Sequence, residues 1–189
     1  MRVVIWMMLA LGLVLIAGCA GLGSTTFAHP DYNFGFVEKV AVIPFENTTK
    51  DQGAGVRATR FFVTELLAAR AFDVVEPGEV ARVLTGMGVV RTADLTREQV
   101  LSIGNELGVQ ALFLGSVGES SSQRSGGANI NVVTLNARLV ETETGETVWS
   151  ATHTESGGGF WSTLFGTRQR SSSEVTRACV AKSIRTLIN

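Results

Sequence analysis

The chain has 189 residues, with 16 basic and 17 acidic side chains and a formal net charge of −1. This length suits one domain with a substantial hydrophobic core. The nearly balanced charge provides no electrostatic footprint for nucleic acid, so we expect no nucleic-acid partner.

The N-terminus reads MRVVIWMMLALGLVLIAGCAG. One basic residue, Arg2, precedes an apolar run over Val3–Ala17, which is the layout of a secretory signal peptide. The run ends in Ile16-Ala17-Gly18-Cys19, which resembles a bacterial lipobox, the recognition site of the lipoprotein signal peptidase. The resemblance implies that residues 1–18 are removed and that Cys19 carries the acyl chains. An uncleaved transmembrane anchor is the alternative, and the run is a little short for a span of about 20 residues.

The residues after Cys19 bear on location and reach. Ala20 stands where an aspartate is the usual inner-membrane retention signal, so we expect the periplasmic face of the outer membrane. Residues 20–36, AGLGSTTFAHPDYNFGF, show no periodicity, so residues 19–36 are expected to form a lipidated tether without regular structure. With Cys19 lipidated, Cys179 has no partner within the chain, and we expect it to be a buried or semi-buried thiol.

The first half of the domain predicts five elements in chain order. VEKVAVIPF is a strand that is apolar on both faces. GAGVRATRFFVTELLAAR has its apolar residues at helical spacing, and FDVVE is a short strand. Pro77 begins a helix that runs to about Leu84. Thr96 and Gln99 form a capping box for a further helix, which Gly108 ends.

The second half predicts three strands and a helix. VQALFLGSVGE is again apolar on both faces, whereas INVVTLNARLVET and ETVWSATHTES alternate around an ETGE turn. SSSQRSGGAN reads as a hairpin loop. Ser171 and Glu174 form a capping box for the last helix. The expected apolar stripe of this helix comprises Val180, Ile184, Leu187 and Ile188. Cys179 is expected to lie off that stripe.

The resulting order is β α β α α β β β α over residues 37–189. This order predicts an α/β (α+β) fold with a single mixed sheet and helices packed on it. The first crossover predicts a parallel pair of strands, and the last three strands predict an antiparallel meander.

No pattern supports catalysis. Gly53, Gly55 and Ala58 form G-x-G-x-x-A after a strand, and Glu76 follows about 20 residues later, as in a dinucleotide-binding fingerprint. However, seven polar residues separate Phe45 from Gly53, whereas the fingerprint needs its first glycine directly after the strand. His153 is expected at the rim of a strand face, and no Cys/His cluster has metal spacing. We therefore expect no enzyme, cofactor or metal, with a cofactor-binding enzyme as the minor alternative.

The segment GGGFWSTLFGTRQR, residues 157–170, carries an unusual concentration of apolar side chains. On a helix, its four large apolar residues would share one face, and two arginines follow. Trp and Arg favour the membrane–water boundary, so membrane or partner contact is expected. The alternative is that the segment folds back on the core of its own domain. The candidate contact residues are Phe160, Trp161, Leu164, Phe165, Arg168 and Arg170.

Four segments of the chain follow one another in an order that resembles the curli-secretion lipoprotein (CsgG-like) superfamily. They are VAVIPFENTT, FDVVEPGEVARVL, LGVQALFLGSVGE and NARLVETETGETVWSATHT. The group includes the curli channel subunit, outer-membrane lipoprotein activators of penicillin-binding proteins and the Pel polysaccharide export lipoprotein, with the N-terminal domain of TolB as a more distant member. The resemblance covers residues 37–189 and implies a non-enzymatic ring, channel or protein-binding module. The long amphipathic hairpins of the curli channel have no counterpart here.

The resemblance implies an outer-membrane lipoprotein that faces the periplasm and is an accessory or ring subunit of an envelope export or secretion apparatus for polysaccharide or protein. Its expected partners are the outer membrane, through the lipid anchor, envelope export proteins and further copies of itself. A binding module that activates a cell-wall synthase is the alternative, and a stand-alone envelope lipoprotein is a third reading. The activator reading is disfavoured because a 17-residue tether spans at most about 60 Å when fully extended.

Overall fold

The computed structural model describes residues 24–125, 128–158 and 169–188. In this part of the chain, seven strands form one mixed sheet, which four helices cover, so the expected fold class is confirmed. The strands are β1 (Thr25–Ala28), β2 (Lys39–Val42), β3 (Glu46–Asn47), β4 (Asp73–Val74), β5 (Ala111–Ser125), β6 (Ala128–Glu141) and β7 (Thr147–Ser156). The helices are α1 (Ala54–Ala69), α2 (Pro77–Gly86), α3 (Arg97–Leu107) and α4 (Ser172–Ile188).

The strand order across the sheet is β1-β7-β6-β5-β2-β4, and β3 pairs with β5 beyond the end of β2. β2 lies parallel to both β4 and β5, which confirms the parallel pair expected from the first crossover. β5, β6 and β7 form the expected antiparallel meander. Gly145, at φ +73°, supplies the left-handed residue in the turn between β6 and β7.

The two faces of the sheet are covered to different extents. On one face, α1 and α4 pack over the whole meander and bury a large core around Phe62, Phe113 and Trp149. On the other face, α2 and α3 cover β2 and β5 only, and the second core, centred on Ile43, Leu112 and Ile103, reaches no farther than Val140 of β6. Among the described residues, no helix covers most of β6 and β7 on this second face.

The helix boundaries follow the chemistry read from the sequence. Pro77 begins α2, and Thr96 with Gln99 forms the capping box of α3. Gly108 ends α3 in the left-handed conformation, at φ +60°. In α4, the Ser171 backbone N–H donates to Glu174 Oε2 at 2.7 Å and the Glu174 N–H donates to Ser171 Oγ at 3.3 Å, so this capping box is confirmed as well.

The expectation that residues 20–36 lack regular structure was wrong within the described residues 24–36. Thr25–Ala28 forms β1, which pairs antiparallel with β7, and a 3-10 turn follows at Phe34–Phe36. The pairing arises because β7 is otherwise an open edge whose backbone groups need partners. All four β1 side chains are exposed, so the sequence shows no apolar alternation that would predict the strand.

The expected loop SSSQRSGGAN was also largely wrong. β5 continues to Ser125 and β6 begins at Ala128, so the two strands form a ribbon that extends past the end of β7. A bulge between Val117 and Glu119 shifts the register at the base of this ribbon. The backbone ladder holds the ribbon, and most of its side chains are polar, since no helix among the described residues covers either of its faces.

The buried face of α4 is rotated from the expected stripe. Val180 and Ile184 are buried, as expected, but Ile188 is 39% exposed. Cys179 has no exposed surface, which confirms the expected buried thiol and corrects its placement off the packed stripe. The small polar residues Thr176 and Ser183 share the buried face because their hydroxyls donate back to the helix carbonyls of Ser172 and Cys179.

Candidate functional site

The two described ends of the connection between β7 and α4 meet at one point. The Gly157 N–H donates to the Asn131 carbonyl at 2.7 Å, and the Arg170 N–H donates to the Gly157 carbonyl at 3.3 Å. The Asn131 side-chain amide donates to the Arg170 carbonyl at 2.9 Å. Residues 157 and 170 are therefore in direct contact, at the base of the β5–β6 ribbon.

Gly157 is needed for this contact. A Cβ atom at residue 157 would lie 2.9 Å from the Arg170 carbonyl oxygen and 3.0 Å from Val175 Cγ2. Any side chain would push the two ends of the connection apart. The first glycine of the GGG run thus has a packing role at the base of the connection.

A buried carboxylate reinforces the same point. Glu155 is only 9% exposed, and its two oxygens accept from Arg170 at 2.6 Å and from Lys182 at 2.5 Å. Arg170 also donates to the Ser156 carbonyl. Burial opposes ionisation of this carboxyl, but the hydrogen bonds from Lys182 and Arg170 outweigh it and hold the pKa of Glu155 below its usual value.

His153 lies on the same strand face as Glu155 and is half-buried, as expected for a rim residue. Its Nε2 atom is buried and has no hydrogen-bond partner in the described ranges. Burial and the nearby Lys182 ammonium lower the pKa of His153, so the imidazole is neutral at pH 7. A neutral ring suits its position beside the core.

A second polar cluster ties α1 to the same end of the sheet. The Arg57 guanidinium pairs with Asp51 and donates to Ser172 Oγ at 3.2 Å, at the start of α4. Ser120 Oγ, in the ribbon, donates to Asp51 Oδ2 at 2.8 Å. The hydrogen bond from the Arg57 guanidinium to the Asp51 carboxylate is the main cause that lowers the pKa of Asp51. The start of α4, the ribbon and α1 are thereby held as one unit.

Asp51 also bears on the glycine pattern Gly53-x-Gly55. Its Oδ1 accepts from the Gly53 N–H at 3.2 Å, so a carboxylate already occupies the N-terminal end of α1, where a pyrophosphate would bind in a dinucleotide fold. A Cβ on Gly55 would lie 2.5 Å from the Phe45 carbonyl oxygen. Close packing of the helix on the strand end accounts for this glycine.

The N-terminal end of β1 lies toward the same end of the sheet. Thr25 is opposite Thr152 and Ala28 is opposite Trp149, so β1 runs antiparallel to β7. Thr25 therefore lies nearer than Ala28 to the contact between residues 157 and 170.

Of the sequence-predicted site residues, Arg170 lies in the described ranges and contacts Glu155 and Ser156 at the base of the connection. The others lie outside these ranges, namely Cys19, Phe160, Trp161, Leu164, Phe165 and Arg168. The sequence did not predict Glu155, Lys182 or Asn131 as residues of this site. Glu155 carried a usable signal, since it is a charge on the strand face that also carries Trp149.

In the described ranges, every helix is too short or too polar to cross a lipid bilayer. Comparison with curated proteins gave no match. Among solved structures, the PelC dodecamer from Paraburkholderia phytofirmans has a TM-score of 0.61 at 20% identity, with 87% of this chain and 96% of that chain covered. Lipoprotein GNA1162 from Neisseria meningitidis has a TM-score of 0.60 at 19% identity, with 80% and 99% covered.

The LpoB C-terminal domain from Salmonella enterica aligns with a TM-score of 0.46 at 22% identity, with 62% of this chain and 82% of that chain covered. The likeness to PelC and GNA1162 establishes a shared fold. The family model for the curli production assembly/transport component CsgG matches residues 37–189, which is most of the chain. The resemblance drawn from the sequence is thus confirmed, and the chain belongs to the CsgG family.

Proposed function

We propose that this protein is a non-enzymatic lipoprotein on the periplasmic face of the outer membrane, where it is an accessory or ring subunit of an envelope export or secretion apparatus. Family membership supports the assembly and transport role. The observation that supports the proposal is the direction of β1, whose N-terminal end lies toward the same end of the sheet at which residues 157 and 170 meet.

This arrangement gives the sheet one membrane-proximal end. The lipid on Cys19 and the aromatic residues Phe160, Trp161 and Phe165 would then approach the bilayer together. Leu164 and Arg168 belong to the same proposed contact. Arg170 forms an ion pair with Glu155, so we assign it to the base of the proposed contact. The exposed part of its side chain can still contact lipid phosphates.

The short anchor favours a membrane-proximal role over activation of a cell-wall synthase. Because β1 begins at Thr25, only five residues separate it from Cys19. Six peptide units span about 20 Å when extended. A domain held this closely is suited to an apparatus in its own membrane and poorly suited to reaching an inner-membrane enzyme.

The ring part of the proposal rests on the family and on anchoring. The PelC relative of the same fold is described as a dodecamer, and we extend this assembly to the present chain. Tethering copies to one surface raises their local concentration and favours such association. The lipid anchor and the ring therefore support each other.

The lipid anchor is tested by metabolic labelling with palmitate. Cys19→Ser should abolish the label and leave unprocessed precursor. Cys179→Ala, which keeps the lipobox, should be labelled like the wild type. Undiminished label in Cys19→Ser would show that the anchor is not at this residue.

The membrane contact is tested by the double variant Trp161→Ala/Phe165→Ala. We expect unchanged thermal stability, impaired export or assembly, and loss of the blue shift in tryptophan emission that lipid vesicles cause in the wild type. Phe36→Ala/Val90→Ala removes exposed apolar residues elsewhere and is the matched control. A loss of several kcal/mol in the test variant, as for truncated core aromatics, would instead assign the segment to the core.

A further inference from the structure

Helix α1 presents an apolar stripe to solvent. Val56 is 57% exposed and Leu67 is 54% exposed, and between them lies Val63, which is half-buried and packs in part against the domain's own core. At 100° per residue these three side chains fall within about 40° of one another, on the side of the helix away from Phe62. The stripe runs about 16 Å along the helix. We call these three residues the α1 stripe.

The opposite side of the domain presents the part of the sheet that α2 and α3 leave uncovered. Its side chains are half-buried and belong to alternate positions of β6 and β7. They are uncharged except for Arg138, which is opposite Ser150 and donates to the Ala93 carbonyl oxygen at 2.8 Å. We call this surface the open face, and it consists of Thr134, Asn136, Arg138, Ser150, Thr152 and Thr154. Phe27 of β1 is opposite Ser150, is 46% exposed and extends the open face with an aromatic ring.

The two surfaces carry complementary charges. Arg60 lies on the same side of α1, between Val56 and Val63. It is exposed and has no carboxylate partner in the described part of the chain. Glu119 borders the open face opposite Thr134 and accepts from the Ser121 hydroxyl and the Gln123 amide, with no cation beside it in the same ranges. An arginine without a partner on one surface thus corresponds to a glutamate without a cation on the other.

The spacing of the two surfaces also matches. Arg60 and Leu67 are seven residues apart on α1, or about 10 Å along the axis. Glu119 and Thr152 are two strands and two residues apart on the sheet, or about 12 Å. A helix that places Arg60 against Glu119 therefore brings Leu67 over Thr152, whose methyl group and neighbouring Phe27 provide apolar contact.

We propose that the α1 stripe of one copy docks on the open face of a second copy of this chain. Because the two surfaces differ and lie on opposite sides of the domain, the contact is head-to-tail and generates a ring if its rotation closes. This inference rests on the proposed ring function and assigns that ring to specific surfaces. It explains why a water-exposed helix retains aliphatic residues and why, within the described ranges, half of the sheet has no helical cover.

The first test is the oligomeric state of the detergent-extracted lipoprotein, measured by native mass spectrometry. Leu67→Asp should convert the oligomer into monomer without lowering the melting temperature, since Leu67 is exposed. Ala68→Asp, on the same helix but outside the α1 stripe, is the control and should remain oligomeric. An unchanged oligomer in Leu67→Asp would overturn the proposal.

The charge contact is tested by exchange. Arg60→Glu alone and Glu119→Arg alone should each weaken the oligomer at low salt by at least tenfold in dissociation constant. The combination Arg60→Glu/Glu119→Arg should restore it, because each interface again pairs opposite charges. Additive weakening in the double variant would show that these two residues do not meet.

A cross-link tests the geometry directly. Leu67→Cys/Thr152→Cys should form a ladder of disulfide-linked oligomers on mild oxidation, whereas either single variant should not. A dimer from Leu67→Cys alone would mean that two α1 stripes face each other, which contradicts the proposal. Loss of vesicle binding in Leu67→Asp with an intact oligomer would assign the stripe to lipid and also overturn it.

The wild-type measurement separates this inference from the proposed function. If the wild-type lipoprotein is monomeric at all concentrations, the ring itself is wrong. If it is oligomeric but neither the Leu67 nor the Arg60 variants alter it and the double-cysteine ladder is absent, the ring stands and only the assignment of its surfaces fails.

Discussion

Glu155 is the residue on which the base of the β7–α4 connection depends. Its carboxylate, before the connection, contacts two cations that follow it, Arg170 just before α4 and Lys182 within α4. Removing one member of a buried pair is costly because the remaining charges lose their partner. Both cations keep about half of their surface in water, which reduces this cost.

We expect Glu155→Gln to lower the free energy of unfolding by about 1–2 kcal/mol at pH 7. Since the pKa of Glu155 is lower in the folded state, its stabilisation is present above the unfolded value of about 4.3 and is lost as the pH falls through the folded value. The difference between variant and wild type in urea unfolding should therefore shrink below about pH 4.

Glu79→Gln is the control for this prediction, because Glu79 and Arg82 form an exposed pair on α2. It should leave the urea midpoint unchanged at both pH values. A Glu155→Gln protein as stable as the wild type at pH 7 would mean that the buried pair contributes nothing to holding the connection.

The thiol of Cys179 should be inert in the native protein. Burial raises its pKa to about 12, and its Sγ atom lies 3.2 Å from the His153 carbonyl oxygen. In Cys19→Ser protein at pH 8, a thiol reagent should react at the rate of global unfolding, and reaction should become immediate in denaturant. Rapid stoichiometric reaction without denaturant would contradict the buried position.

At the scale of elements, the packing of α3 on the turn between β6 and β7 depends on the absence of a side chain. A Cβ on Gly104 would lie 2.3 Å from Thr142 Cβ. Thr142 in turn donates to the Val109 carbonyl at 2.6 Å, which holds the end of α3 against the sheet. α3 and the turn are therefore tightly coupled.

Gly104→Ala should cost about 1–3 kcal/mol of unfolding free energy because it overpacks this contact. Gly104→Ala/Thr142→Ala should recover part of the loss, and the coupling between the two sites is measurable as a double-mutant cycle. Gly86→Ala is the control, since nothing lies within 4 Å of a Cβ there. Strict additivity of the two changes would contradict direct contact.

The elements that the sequence predicted are those whose own residues determine them. The apolar runs of β2 and β5, the capping boxes of α3 and α4 and the proline at the start of α2 carry local signals. β1 and the ribbon of β5 and β6 were missed because their side chains are exposed and only backbone pairing to a distant strand defines them. The same limit applies to Glu155, whose partners are 15 and 27 residues away.

For the whole molecule, the proposed anchoring sets an orientation of the sheet. β1 begins toward the ribbon end, so this anchoring would place the turn between β6 and β7 at the end of the sheet remote from the membrane. Ser122 in the ribbon and Glu143 in the turn are separated by about 40 Å along β6, because Ser122 pairs with Asn131 and twelve residues follow. The strands then stand steeply on the membrane.

In proteoliposomes, a fluorophore on Ser122→Cys should be quenched strongly by headgroup-labelled lipids, whereas one on Glu143→Cys should not. Both positions are exposed, and the buried Cys179 should remain unlabelled. Equal quenching at the two positions would mean that the sheet lies flat on the bilayer, and stronger quenching at residue 143 would invert the orientation.

The contact between residues 157 and 170 has a consequence for how this protein can vary. Because the two ends of the connection touch, a change in its length does not alter the rest of the fold. Doubling the length of a loop costs only about 0.6 kcal/mol in closure entropy. Residues 159–168 can therefore be shortened, lengthened or exchanged while the scaffold keeps its shape. Proteins that share this domain can therefore differ in what they contact at this site.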